Sequence, residues 1–135
     1  MSNVQVIAHR GASRAERENT LEAFRRAGLM GADAVELDVR RTADGAMAIH
    51  HDASLSDGRL ICELQSTDLP AHVPLLSAAL DACEGMWVNI EIKNHPADAD
   101  FDASDTLAAK VAAHLEERGD DHRWLISAFH RPTVD

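Results

Sequence analysis

Apolar and polar positions change period along this chain, and the changes predict alternating strands and helices. Val4, Val6 and Ile7 with Ala8 form a short β-branched run that stops at His9-Arg10-Gly11-Ala12-Ser13, where glycine and small residues predict a loop. Asn19, three residues ahead of Glu22, has the form of a capping box. Leu21, Phe24, Ala27 and Met30 follow at helical spacing and predict a helix that closes at Gly31. Ala34 to Val39 alternates strictly and predicts a strand, and Met47 to His50 makes the next one after the turn Asp44-Gly45. Residues 52–74 carry turn signals and no regular period. Leu75, Leu76, Ala79, Leu80 and Cys83 predict a second helix, and Met86 to Ile92 a strand after Gly85. Ser104 is placed to cap a third helix with Leu107, Ala108, Val111, Ala112 and Leu115 on one face and Gly119 at its end. Trp124 to Ser127 is the fifth strand. Strands separated by helical segments predict parallel βαβ units.

The 135 residues are read as one domain, 1–135, against roughly 200 to 250 for a closed (β/α)₈ barrel. Hydrophobic residues at 45% and charged residues at 27% argue against disorder and a disulfide scaffold. The net charge of −10 is uneven, −1 over residues 1–52 and −9 over the remainder. That sign excludes extended nucleic-acid or anionic-membrane binding, yet it leaves room for a small phosphate held by a local cation. No apolar run is long enough to span a membrane. The start Met1-Ser2-Asn3-Val4-Gln5 lacks the basic and apolar stretches of a secretion signal, and Cys62 and Cys83 lack CxxC spacing. The expected setting is a reducing cytoplasm with both thiols free.

Candidate chemistry begins with Glu36 and Asp38, two apart on a strand and therefore on one face. In an antiparallel sheet such a pair is ordinarily the wet face. Parallel strands are covered on both faces, so two inward acids need a neutralising cation. Asn89, Glu91 and Lys93 repeat the pattern in a later strand, adding a third acid and an amine. Hard oxygen donors without a cysteine or a His-x-x-x-His pair favour Mg²⁺ or Ca²⁺ over Zn²⁺. His9 with Arg10, and His51, stand just past predicted strands, where parallel α/β folds build their sites. His50 is expected to point the other way and to be structural, with His72, His95, His114, His122 and His130 exposed. The aspartates between Asn94 and Asp105 predict a solvated loop, since the glycine and terminal glutamate of a calcium loop are missing.

His9-Arg10-Gly11, Glu18-Asn19-Thr20-Leu21-Glu22-Ala23-Phe24, Gly31 to Val39, His51-Asp52 and Glu91-Ile92-Lys93 occur in the order and spacing of glycerophosphodiester phosphodiesterases, which the chain resembles from residue 4 to about 130. The resemblance implies an α/β fold, a TIM (β/α)₈ barrel of the phospholipase-C-like phosphodiesterase type. It also implies metal-dependent hydrolysis of glycerophosphodiesters to sn-glycerol 3-phosphate and an alcohol. Glu36, Asp38 and Glu91 would hold the divalent cation, His9 and His51 would be the acid/base pair, and Arg10 and Lys93 would contact phosphate. Glu18 matches an accessory position near the metal, although Asn19 to Glu22 also serves as a plain helix start. Two routes stay open, attack by the glycerol 2-hydroxyl through a cyclic phosphate or attack by water.

The chain also departs from the family pattern. Arg17 stands where proline is common, and the segment Ala53 to Gly58 lacks the usual Arg-Thr-Thr. Five strands correspond to about the first five βα units, an incomplete barrel with two open edges. A homo-oligomer that covers those edges is therefore expected, and a truncated, non-enzymatic or oligomer-dependent module is the alternative. A third reading keeps the barrel and changes the substrate to a lysophospholipid or sphingolipid.

Overall fold

In the computed structural model, which describes residues 4–135, strand pairing begins only where the second strand begins. β1 (Ile7–His9) lies parallel to β2 (Ala34–Arg41), with Ile7 opposite Ala34 and His9 opposite Glu36. Val4 to Val6, expected in the strand, precede the first β2 partner and stay outside it. Met1 to Asn3, part of the stretch read for a secretion signal, lie outside the described residues.

Helix α1 covers Leu21–Leu29, and its N-cap is Thr20, whose hydroxyl accepts the Ala23 N–H at 3.2 Å. Asn19, the expected cap, is displaced by its neighbour because Thr20 sits directly before the first helical residue. α2 covers Leu76–Ala82, β4 Trp87–Ile92, α3 Thr106–Arg118 and β5 Trp124–Ser127. At α3 the cap is Asp105 rather than Ser104. The Asp102 carboxylate ties the turn by accepting from the Ser104 and Thr106 hydroxyls and the N–H of each.

The parallel strands run in the order β1-β2-β4-β5. β3 (Met47–Ile49) is the exception, because it pairs antiparallel to β2 with Val39 opposite Ile49 and Arg41 opposite Met47. It is the return arm of a hairpin turning through Gly45, where φ is +77°. Among the described residues, β1, β2, β4 and β5 are therefore staves of a parallel barrel, and β3 extends the β1 edge of β2.

Alternation divides the sheet into two faces. Val35, Leu37, Val39, Val88, Ile90 and Ile92 face the helices and pack with Phe24, Leu80 and Val111 in the main core. Burial of each such side chain is worth about 1.5–3 kcal/mol. The opposite face carries His9, Glu36, Asp38, Arg40, Asn89, Glu91 and Ser127. Ala48, Leu55, Ile61 and Val73 form a separate small core that folds the irregular segment onto β3. Among the described residues no helix is long and apolar enough to cross a membrane.

Candidate active site

At the end of β1 the chain turns sharply. Arg10 and Gly11 both have positive φ, 58° and 80°, and a Cβ at Gly11 would stand 2.7 Å from the Ala23 carbonyl carbon. Only glycine lets this loop lie on the first turn of α1, where the Ala12 N–H donates to the Ala23 carbonyl at 2.9 Å. The turn hangs His9 and Arg10 over β2. His9 Nε2 is 3.5 Å from Glu36 Oε2. The Arg10 N–H donates to the Glu36 carbonyl at 2.8 Å and to its carboxylate at 3.2 Å. The Arg10 side chain reaches 3.4 Å from Asp38 Oδ2 through Nε and donates to Glu18 at 2.9 Å through Nη1.

Strand register joins the acids. Asp38 stands opposite Glu91 and Glu36 opposite Asn89, so adjacent parallel strands carry the three carboxylates side by side. One oxygen from each of Glu36, Asp38 and Glu91 lies within 4.8 Å of the other two, the separation that a single divalent cation with metal–oxygen bonds of about 2.0–2.6 Å can bridge. Glu36 and Asp38 are buried, at 7% and 0% exposure. Lys93 Nζ donates to Glu91 Oε1 at 2.9 Å and lies 3.6 Å from Asp38 Oδ1, and Asn19 Nδ2 donates to Asp38 Oδ2 at 3.0 Å.

Burial, followed by the charge of Asp38, pushes the Glu36 carboxyl up to about 8. Burial also works to raise Asp38. The Asn19 hydrogen bond, with Lys93, His51 and Arg10, outweighs it and holds that carboxyl below its usual range. Glu36 Oε1 and Asp38 Oδ1 are buried without a hydrogen-bond partner. Buried carboxyl oxygens without a partner are costly, and a bound cation would offset that cost and keep Glu36 ionised, so the donor set fits a hard divalent ion.

His51 follows β3, and its Nδ1 is 2.6 Å from Asp52 Oδ1. A carboxylate only accepts, so Nδ1 carries the proton and Nε2 is left for exchange. That hydrogen bond also lowers the Asp52 carboxyl from its usual value. Two cavities meet at His51 and Asp52. One, of about 390 Å³, is lined by Arg10, Arg17, Glu18, Asn19, His50 and His72 among others. The other, of about 380 Å³, is bordered by Arg40, Glu91, Lys93, His95, Asp98 and Phe129 among others.

The acids, His9, Arg10, His51 and Lys93 thus border one site. Glu18 stands apart from the carboxylate cluster and pairs with Arg10 instead. His50 shares the first cavity with His51 rather than facing away, because β3 ends at Ile49 and strict alternation ends with it. Arg17, one of the departures from the family pattern, lies on the wall of the same cavity. His72 lies there too, rather than in open solvent. Asn19 and Arg40 are the residues that pattern reading passed over. Asn19 was absorbed by its resemblance to a cap, while Arg40 shares the Glu36 and Asp38 face by alternation, a signal present in the sequence.

A parallel α/β sheet with its polar side chains gathered on one face, at the C-terminal ends of β1 and β2, defines part of a (β/α)₈ barrel with a site in the usual place. Solved structures agree. The glycerophosphodiester phosphodiesterase of Thermotoga maritima superposes with a TM-score of 0.82 at 26% identity, over 100% of this chain and 58% of that one. An Oleispira antarctica phosphodiesterase, solved in complex with the product sn-glycerol-3-phosphate, gives 0.83 at 30% identity, over 94% of this chain and 58% of that one. The chain belongs to the glycerophosphoryl diester phosphodiesterase family, whose model matches residues 9–133. A Bacillus altitudinis glycerophosphodiester phosphodiesterase is 30% identical over 155 aligned positions, covering 96% of this chain and 60% of the relative. The chain therefore spans about six-tenths of the length of these relatives.

Proposed function

We propose that this chain carries the catalytic face of a metal-dependent phosphodiesterase that cleaves glycerophosphodiesters to sn-glycerol 3-phosphate and an alcohol. The observation that supports it most is the meeting of Glu36, Asp38 and Glu91 within 4.8 Å beneath His9 and Arg10. Bound by those three carboxylates, Mg²⁺ or Ca²⁺ would supply positive charge to the phosphoryl group as negative charge grows on it. Arg10, with Nε 3.4 Å from Asp38 and Nη1 paired with Glu18, brings a guanidinium beside the cluster, where it would contact a phosphate oxygen. Lys93, held between Glu91 and Asp38, presents a second cation.

His9 and His51 divide the proton transfers. One, neutral, takes the proton of the attacking hydroxyl or water, and the other, protonated, gives one to the leaving alcohol oxygen. Asp52 orients His51 by holding its Nδ1–H. The product named in the Oleispira antarctica complex supports a glycerophosphodiester substrate for this chain.

A second reading follows from the sheet edges. β1 and β5 are terminal strands, and Ile7 and Leu125 are 48% and 51% exposed. Another copy, paired along those edges, would complete the wall, and without it the site residues could stand in a non-enzymatic module. A glycerol 3-phosphate release assay on a panel of glycerophosphodiesters and lysolipids, run with size exclusion, tests all of this. Release that stops in excess chelator and returns with Mg²⁺ or Ca²⁺ supports the enzyme. Full activity in chelator would remove the metal from the reading. No release from any diester, at any oligomeric state, would favour the non-enzymatic module.

A further inference from the structure

Arg40 is a buried arginine, 4% exposed, on the same face of β2 as Glu36 and Asp38, and none of the roles assigned above uses it. Each of its three nitrogens donates a hydrogen bond. Nε and Nη2 both donate to the His51 carbonyl, at 2.8 and 2.6 Å. Nη1 donates to both carboxylate oxygens of Asp100, at 2.9 and 3.0 Å, and to Asp98 at 3.3 Å. Asp100 is itself buried, an exception in a loop expected to be solvated throughout, and its carbonyl accepts from Arg41 at 2.8 Å.

We propose that Arg40 is a positioning residue: its planar fork clamps the His51 carbonyl to the Asp98–Asp100 loop and so fixes the His51–Asp52 pair on the wall of the cavity it shares with Glu91 and Lys93. The inference rests on His51 being a proton-transfer group. Two donors converging on one carbonyl define the peptide plane at His51, and that plane sets where the ring and Asp52 can meet. The same clamp ties the loop that carries His95 and Asp98 to the His51 side of the second cavity. A lysine offers charge without the fork, so it reaches one partner at a time.

The test compares wild type, Arg40→Lys and Arg40→Met as full chains, with ¹⁵N spectra of the histidine rings and, in parallel, hydrolysis kinetics. The expected wild-type spectrum has His51 locked as the Nδ1–H tautomer. In both variants the tautomers mix, and kcat falls by about 10- to 100-fold with KM within threefold, while Mn²⁺ binding at the carboxylate cluster is retained. If Arg40→Met fails to fold, Arg40→Lys, which keeps the stem and the charge, carries the comparison. A locked tautomer and kcat within threefold of wild type in Arg40→Lys would overturn the proposal, leaving an ordinary structural ion pair. Absence of hydrolysis in the wild type would count against the enzymatic reading alone, and the tautomer spectra would still decide the role of Arg40.

Discussion

Asn19 offers the sharpest separation of structural from electrostatic effects in the site. It is 3% exposed, sits at φ 55° and donates its side-chain N–H to the fully buried Asp38. Replacement by glycine keeps the backbone conformation and removes a hydrogen bond to a charged acceptor, worth about 1.5–3 kcal/mol. Alanine removes the same bond and adds the left-handed penalty of an L-residue, about 1–2 kcal/mol more. Asn19→Asp goes further by placing a second carboxylate beside Asp38, which at about 4 Å and an effective dielectric near 20 costs roughly 4 kcal/mol. The expected order of stability in excess chelator is therefore wild type, then Gly, then Ala, with Asp lowest or level with Ala. Saturating Mg²⁺ should then stabilise Asn19→Asp more than it stabilises wild type, because the added carboxylate faces the cation. Urea unfolding with and without chelator reads all four proteins. Asn19→Ala within 0.5 kcal/mol of wild type (a bound set roughly by ordinary surface substitutions), or Asn19→Asp as stable as wild type without metal, would refute the reasoning.

Other consequences are equally direct. Glu36 has a folded pKa raised from 4.5 to about 8, so its contribution to metal-free stability is complete below about 4.5 and is lost as pH rises through 8. Unfolding midpoints of the chelated protein should fall across that window in wild type and flatten in Glu36→Gln; an equal fall in the variant would clear Glu36 of the effect. His9→Ala and His51→Ala should each lower turnover by about 10²–10⁴ with folding intact, and a change under threefold in both, measured by product release, would reassign the proton transfers. Gly11→Ala must push a methyl group against the α1 backbone in a left-handed conformation. It should cost more than about 2 kcal/mol in denaturant titration, and a neutral result would show that the β1–α1 loop is not held as described.

Much of the site was readable because it depends on period-two alternation. Glu36 and Asp38, then Asn89 and Glu91, could be assigned to one face before any coordinates, and parallel pairing then joined the two strands in register. The same rule extends to Arg40, two residues past Asp38, although the pattern reading did not use it. Its partners stood out of view, since Asp100 is 60 residues away and the contact with His51 depends on the path of the hairpin. β3 shows a related limit: the turn Asp44-Gly45 signals a hairpin, but apolar runs look alike whether a strand returns antiparallel or starts a new βα unit. Asn19 was hidden by a competing local explanation. A side chain two residues before a helix looks like a cap, and only the left-handed backbone at Asn19, together with the better-placed hydroxyl of Thr20, turns it toward Asp38. Sequence order could likewise show that strands β1 and β5 close the row, though not what lies along their outer edges.

The central claim is that one divalent cation sits among Glu36, Asp38 and Glu91. Anomalous diffraction from crystals soaked in Mn²⁺ tests it most directly. The expected result is a single strong peak about 2.0–2.4 Å from an oxygen of each carboxylate, lost in Asp38→Ala. A peak elsewhere, at the exposed aspartates of the 94–105 loop for example, with none among these three acids, would contradict the account.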